Sequence, residues 1–255
     1  MSGYLVQRNA GDIVRGAVAM YREYFLTFVV IGVLPILPTL GWAFFGPDNS
    51  DESLATRITA YFSVKELVTH LVEAIPQLAI TIAVSDICLG NQPSFMRSYQ
   101  RLFRLNFALP LMTYLLVQWF IGFAQEVHML FYPLLLALTM LIGEVVVLER
   151  RAGKSALSRN WQLSRGFMLR NLAVFGLVFA AFLVYAFLPS FIVAALAKFG
   201  FMEYRPWESF LSVFATLLGS LLFPLVGITT TLIYYDMRVR KEAYDTVALA
   251  QDLMR

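Results

Sequence analysis

The chain has 255 residues, of which 59% are hydrophobic and 15% are charged, and its mean hydropathy is +0.67. Soluble domains are about 45–50% apolar and about 25% charged, so this composition argues against a soluble globular protein. The net charge of +3 gives no basic surface for a nucleic-acid partner, and the single cysteine excludes an intrachain disulfide and a Cys-x-x-Cys site.

Continuous apolar runs predict six transmembrane helices. A bilayer core requires about 20 apolar residues in a helix, and these runs are unbroken rather than periodic. The predicted spans cover residues 25–45, 67–89, 107–123, 130–148, 172–196 and 210–234. We therefore expect one all-α membrane domain over residues 1–255, with no cleavable signal peptide and no cofactor.

The basic residues predict the orientation of these spans. Of the 20 lysines and arginines, 16 lie in the N-terminal segment, the second and fourth connections and the C-terminal tail. Such an excess marks the cytoplasmic side of a membrane. We expect a multi-pass protein of a prokaryotic cytoplasmic (inner) membrane with both termini in the cytoplasm.

Amphipathic helices are predicted on the same side, before the first, third and fifth spans. In residues 95–105, Phe95, Tyr99 and Leu102 form an apolar face, and arginines recur at the same spacing on another face. Such helices lie in the interface plane, where basic side chains meet anionic lipid. The predicted contacts to lipid head groups are Arg97, Arg101, Arg104, Arg159 and Arg165.

This arrangement also fits three parallel repeats, each an amphipathic helix followed by a two-span hairpin. The units would begin near Asp12, Ser94 and Ser155. The alternative is that any six-span protein with alternating connections has this form.

Carboxylates near the inner span ends predict a further set of contacts. A carboxylate at that depth is costly to bury without a partner. We predict a cytoplasmic charge collar that docks the amphipathic helices onto the bundle. In this collar, at least one of Asp86, Glu144 and Glu149 pairs with an arginine of residues 150–170 or of the tail. Its members are Asp86, Glu144, Glu149, Asp236 and Arg238. The alternative interpretation is an ion or proton site.

Three stretches of the chain resemble a known family. They are residues 11–25, residues 147–166 with Val-Leu-Glu-Arg-Arg and Leu-Ser-Arg-Gly, and the tail Tyr-Tyr-Asp-Met-Arg-Val-Arg-Lys-Glu at 234–242. The chain resembles bacterial and archaeal membrane proteins that are similar to the membrane domain of glycerophosphoryl diester phosphodiesterases. In those enzymes a separate soluble barrel carries catalysis, so the resemblance implies a topology and no activity.

The sequence favours a non-enzymatic role, as a structural or accessory membrane subunit that interacts with anionic lipids and with a protein partner or a second copy. No HExxH, GxSxG or P-loop motif occurs. The first alternative function is that of a transporter or channel for a small amphiphile or ion. A continuous polar path through Gln77, Thr81, Gln118 and Glu144 would favour it. The second alternative is an intramembrane enzyme, which would require a set of polar groups clustered around a pocket.

Overall fold

A computed structural model describes residues 5–33, 64–103, 108–127, 135–136, 138–199 and 205–254. Every regular element in these ranges is a helix and none is a strand, so the all-α class is confirmed. The ten helices described there are α1 (Ala10–Glu23), α2 (Phe25–Val33), α3 (Val64–Cys88), α4 (Phe95–Leu102), α5 (Ala108–Val127), α6 (Ile142–Leu148), α7 (Gly153–Ser164), α8 (Met168–Lys198), α9 (Arg205–Glu242) and α10 (Thr246–Met254).

Four helices cover most of a predicted span each: α3, α5, α8 and α9. Helix α2 begins at Phe25, where the first predicted span begins, and residues 34–45 of that span lie outside the described residues. The fourth predicted span differs most, because a turn at residues 140–141 precedes the short helix α6. Residues 130–134 and 137 of that span are also outside the described residues.

Length and composition support fewer spans than the sequence predicted. In the described part of the chain, the segment Gly219–Glu242 of α9 is long and apolar enough to cross a membrane. A second candidate arises if α1 and α2, which meet at a 90° bend, are counted as one broken span. Three shorter apolar helices are Ala74–Cys88, Ala108–Phe123 and Met168–Val178. One or two spans are thus supported by this criterion, rather than six.

Helix α9 is the central packing element and contacts α1, α2, α3, α6, α7 and α8. Small residues allow close approach at two crossings. A Cβ atom at Gly32 would lie 2.8 Å from Cγ of Pro224, and one at Gly227 would lie 2.9 Å from Cγ2 of Ile80. Close backbone approach at glycine is a common way to pack helices in a membrane bundle.

The amphipathic faces of α1 and α4 lie against this bundle. Ile13, Ala17 and Met20 of α1 are fully buried. Asn9 begins the helix, because its side-chain oxygen accepts a hydrogen bond from the backbone N–H of Asp12 at 2.8 Å. The hydroxyl of Tyr99 on α4 donates to the carbonyl of Ile31 at 2.7 Å. Spacing along the sequence therefore identified the inward faces of both helices.

Helix α7 packs with a face that only partly overlaps the predicted one. Spacing predicts an apolar stripe that includes Leu157, Trp161 and Ser164, but Leu157 and Trp161 are exposed and Ser164 alone of the three is buried. The buried face also carries Ala156, Asn160 and Leu163. The exposed part of the stripe is therefore free to contact a surrounding apolar phase, while the inward face of α7 includes a buried amide.

Apolar side chains are exposed along two of the helices, α5 and α8. On α5 the exposed residues Leu109, Met112, Leu116 and Phe120 recur every three or four positions along one face. On α8 an exposed apolar series includes Leu169 at 85% exposure, and extends to Leu177, Val184, Leu188 and Phe191. Large contiguous apolar surface of this kind marks contact with a membrane or a partner.

Candidate functional site

A cavity of about 320 Å³ lies between α3, α5, α6, α8 and α9. Its polar lining comprises Gln77, Tyr114, Gln118, Thr139, Glu144 and Thr230. Its apolar lining includes Phe175 and Phe223. Ligand pockets span about 300–1,000 Å³ and combine an apolar lining with a few polar groups, so this cavity falls at the small end of that range.

Glu144 is the charged residue of this cavity and is 2% exposed. Its Oε1 atom lies 3.5 Å from the hydroxyl of Thr231. The start of α6 is fixed by Asn160, which accepts a hydrogen bond from the Leu141 N–H at 3.0 Å and donates one to the Leu138 carbonyl. These two hydrogen bonds fix the rotation of α6 about its axis, and that rotation directs Glu144 into the bundle.

A buried polar seam connects α3 to α9 beside the cavity. Gln77 donates to the Thr230 hydroxyl at 3.3 Å, and the Thr231 hydroxyl donates to that of Thr81 at 3.3 Å. One turn further along α3, Ser85 shares a hydrogen bond with the hydroxyl of Tyr235 at 2.5 Å. The seam runs from the cavity toward the end of the bundle where the charged clusters lie.

The Glu149 cluster is the larger charged group, formed by Glu149, Arg159, Arg238, Glu242 and Asp252. Glu149 lies 2.7 Å from Nε of Arg159 and 3.1 Å from Nη1 of Arg238. Arg159 also donates to Glu242 at 2.8 Å, and Arg238 lies 3.4 Å from Asp252. The cluster therefore joins α7, α9 and α10 to the residue that follows α6.

Tyr244 closes the Glu149 cluster on the side of α10. Its ring centroid lies 3.9 Å from the guanidinium carbon of Arg238, and its hydroxyl donates to Asp252 at 2.8 Å. Burial raises the pKa of Tyr244, and the hydrogen bond to Asp252 raises it further, so the phenol stays protonated as a donor. For Arg159, burial lowers the pKa but the hydrogen bonds to Glu242 and Glu149 outweigh it, so the net direction is upward.

Asp236 is the centre of a second cluster. Its carboxylate lies 2.8 Å from Arg170 and 2.8 Å from Arg240, and it accepts the backbone N–H of Arg8 at 2.7 Å. Both arginines also donate to the carbonyl of Arg8, at 2.7 Å and 2.6 Å. These contacts attach the segment before α1 to the ends of α8 and α9.

Asp86, fully buried at the end of α3, lies 2.9 Å from Arg101 and 3.7 Å from Arg97. Among the three carboxylates for which such a partner was predicted, Glu149 is the one that meets arginines of residues 150–170 and the tail, whereas Asp86 meets α4, which folds back beside the end of α3. Arg97 and Arg101 were assigned to lipid head groups, and the structure brings both of them to Asp86 instead. Arg97 remains about half exposed, whereas Arg101 is largely covered.

The other predicted site residues lie in different parts of the structure. It brings Glu149, Arg159 and Arg238 together, and it places Asp236 in a separate cluster. Glu144 makes no ion pair with a basic residue of the described chain, because the turn before α6 directs it to the cavity. Arg165 is exposed, and Arg104 lies outside the described residues.

Sequence reasoning missed Arg170, Arg240, Glu242, Asp252 and Tyr244 as members of the clusters. A signal was present on α9, where Asp236 with Arg240 and Arg238 with Glu242 are spaced i, i+4. Nothing in the sequence spacing indicated that Asp252 on a separate helix would reach Arg238.

No family model, curated protein or solved structure matches this chain. The chemistry of the site therefore has to be inferred from its geometry. Among the described residues, no group of three or more histidine, cysteine, aspartate and glutamate side chains could hold a metal ion. What the arrangement offers is one buried carboxylate, neutral hydrogen-bonding groups and aromatic rings around a small cavity.

Proposed function

We propose that this chain is a non-enzymatic, multi-pass protein of a prokaryotic cytoplasmic membrane that binds a small amphiphile or ion within its helix bundle, as a transporter or channel does. The observation that carries the proposal is the cavity that contains Glu144, Gln77 and Gln118. Three of the four residues that define the predicted polar path line that cavity, and Thr81 joins it through Thr231.

The distribution of apolar surface supports the membrane part of this proposal. Leucine, methionine and phenylalanine side chains are exposed along α5 and α8, whereas threonines, Asp86 and Glu144 are buried. In lipid, polar groups must be satisfied inside the bundle and the outer surface must be apolar. A six-span topology, with three units that each begin with a short helix such as α1, α4 or α7, is the arrangement we infer.

The dimensions of α9 fit the same proposal. Its 38 residues span about 57 Å, compared with about 30 Å for a hydrocarbon core. Both ends therefore extend beyond the apolar phase, and the end with Arg238, Arg240 and Lys241 would lie on the cytoplasmic side.

A structural or accessory role is the second candidate, and the charged clusters favour it. The Glu149 and Asp236 clusters connect five helices and the N-terminal segment at one end of the bundle. A protein whose role is to hold a partner subunit or lipid needs such a fixed end. Anionic lipids and a protein partner or second copy are the partners that we propose for this role.

Retention of a small molecule during mild-detergent purification tests the proposed function. Native mass spectrometry should detect a small molecule, other than bulk phospholipid, on the unmodified chain. Thr139→Phe, which places a ring at the cavity wall, should reduce its occupancy at least tenfold. Thr246→Phe, at an exposed position of α10, is the matched control and should retain it.

Two results would contradict ligand binding in the cavity. The first is that the unmodified chain retains only phospholipid or a protein partner, which would favour the accessory role. The second is equal retention of the small molecule by Thr139→Phe and by the control.

A further inference from the structure

We infer that the cavity beside Glu144 recognises a compact cationic amphiphile, with an ammonium group against the carboxylate and an apolar portion against the aromatic wall. The inference rests on the proposed function, because it requires the cavity to be a binding site. It goes beyond that function by naming the charge and the size of the ligand.

The electrostatic reason is the contrast between Glu144 and the other buried carboxylates. Asp86, Asp236 and Glu149 each lie within 4 Å of two or more arginines. Glu144 is just as buried, yet within the described chain its neighbours are neutral hydroxyl groups and the cavity. A buried carboxylate without a countercharge is costly, and a cationic ligand supplies that charge.

The hydrogen-bonding groups of the cavity lining also favour a cationic ligand. The amide oxygen of Gln77 is buried and has no hydrogen-bond partner among the described residues, while its nitrogen donates to Thr230. Two residues of the cavity lining, Gln77 and Glu144, thus carry acceptor oxygens that no basic group of the described chain satisfies. An ammonium group has three donors and no acceptor, so it suits a lining of this kind.

The remaining lining excludes an anion and accommodates an apolar group. No lysine or arginine of the described residues lines the cavity. The rings of Tyr114, Phe175 and Phe223 do line it, and aromatic faces attract cations as well as apolar surface. A volume of about 320 Å³ suits a compact molecule and is too small for a complete two-chain phospholipid.

Three probes of similar size and different charge test this inference: 2-phenylethylamine, 2-phenylethanol and phenylacetate. Their binding to the full chain in detergent micelles is measured at pH 7 by isothermal titration calorimetry, with protein-free micelles as the blank. We expect the amine to bind at least tenfold more tightly than the alcohol, and phenylacetate to bind more weakly than both.

Variants assign the selectivity to Glu144. Glu144→Gln keeps the shape of the side chain and should abolish the tenfold preference for the amine over the alcohol. Glu144→Asp retains the charge and should retain a preference. Glu23→Gln removes an exposed acid on α1 and should bind like the unmodified chain. Gel filtration and thermal unfolding identify any variant that has not folded.

The outcomes separate this inference from the proposed function. Equal binding of the amine and the alcohol, both abolished by Thr139→Phe, would leave the cavity as a binding site and overturn the cationic class. An amine preference that persists in folded Glu144→Gln would overturn the role of the carboxylate. If no probe binds and no small molecule is retained by the unmodified chain, both the inference and the proposed function fail.

Discussion

The Nε atom of Arg159 donates to both carboxylate oxygens of Glu149, at distances of 2.9 Å and 2.7 Å. Arg238 approaches the same carboxylate from α9, and the Tyr234 hydroxyl donates to it at 3.0 Å. Glu149 is 8% exposed, so this carboxylate is almost entirely surrounded by groups that compensate its charge. Arg151 also lies 3.0 Å from it, so removing the charge leaves three arginines without their common partner.

We predict that Glu149→Gln will lower the free energy of unfolding by about 3–5 kcal/mol, because breaking a buried ion pair on one side leaves an uncompensated charge. Unfolding in detergent, followed by circular dichroism, measures the change. Glu23→Gln, at an exposed position, is the control and should change the value by less than about 0.5 kcal/mol. A double-mutant cycle with Arg159→Gln should show coupling above about 0.5 kcal/mol, and additive effects would contradict the pairing.

Asp86 and Arg101 distinguish an internal ion pair from a lipid contact. Because Asp86 is fully buried, we predict that Arg101→Gln will destabilise the protein by about 3–5 kcal/mol. Arg97→Gln should cost less than about 1 kcal/mol, since Arg97 is about half exposed and lies 3.7 Å away. Phosphorus analysis of the retained lipid accompanies each unfolding curve. Loss of anionic lipid from folded Arg101→Gln at unchanged stability would support the head-group assignment instead.

Close packing at Gly227 predicts a steric effect. In Gly227→Ala the new methyl group would lie 2.9 Å from Ile80 and 3.0 Å from the Gln77 amide oxygen, so either these side chains must shift or α3 and α9 must separate. We expect a loss of about 1–3 kcal/mol, as for overpacking of a core. Gly176→Ala is the matched control, because nothing lies within 4 Å of its new Cβ atom. That variant should gain about 0.5–1 kcal/mol from higher helix propensity, and equal effects at both positions would refute the packing argument.

Cysteine labelling tests the membrane topology. In a Cys88→Ala background, Asn49→Cys should react with a membrane-impermeant maleimide added to intact cells. Gln100→Cys, beside the basic face of α4, should react only after the membrane is permeabilised, because the excess of lysine and arginine predicts a cytoplasmic position for that connection. Labelling after lysis confirms that both thiols are reactive. Reaction of both positions in intact cells would reject the predicted orientation.

Local sequence determined much of the helical structure. Unbroken apolar runs and the spacing of Ile13, Ala17 and Met20 predict helices and their inward faces, because these properties depend on residues within a few turns of one another. The beginnings of α2 and α5 fall within one residue of the predicted span starts. The predicted collar likewise included Glu149 and Arg238, which follow from placing charges at the ends of helices. Arg159 was predicted to contact lipid head groups, but its side chain is largely buried and pairs with Glu149 and Glu242 instead.

Tertiary rotation could not be predicted in this way. A single helix over residues 130–148, which the apolar run predicts, would place Glu144 close to the arginines. The turn at residues 140–141, held by Asn160, changes the rotation of α6 and turns Glu144 to the cavity. The partner of Asp86 is likewise beyond the sequence pattern, since it depends on how the turn at Gly90 directs α4. Both outcomes depend on how the helices are rotated relative to one another. The hydrophobic pattern does not determine that rotation.

The Glu149 cluster also has a consequence for the order of biosynthesis. Glu149 meets Arg238 across 89 residues, and Arg238 meets Asp252 across a further 14. A ribosome delivers Glu149 and Arg159 long before it delivers the other members, so the helices that are synthesised first must pack while this cluster is incomplete. Asp252 is the last member to be synthesised, and until α10 packs against α9 the Arg238 guanidinium has Glu149 and Glu242 as its carboxylate partners.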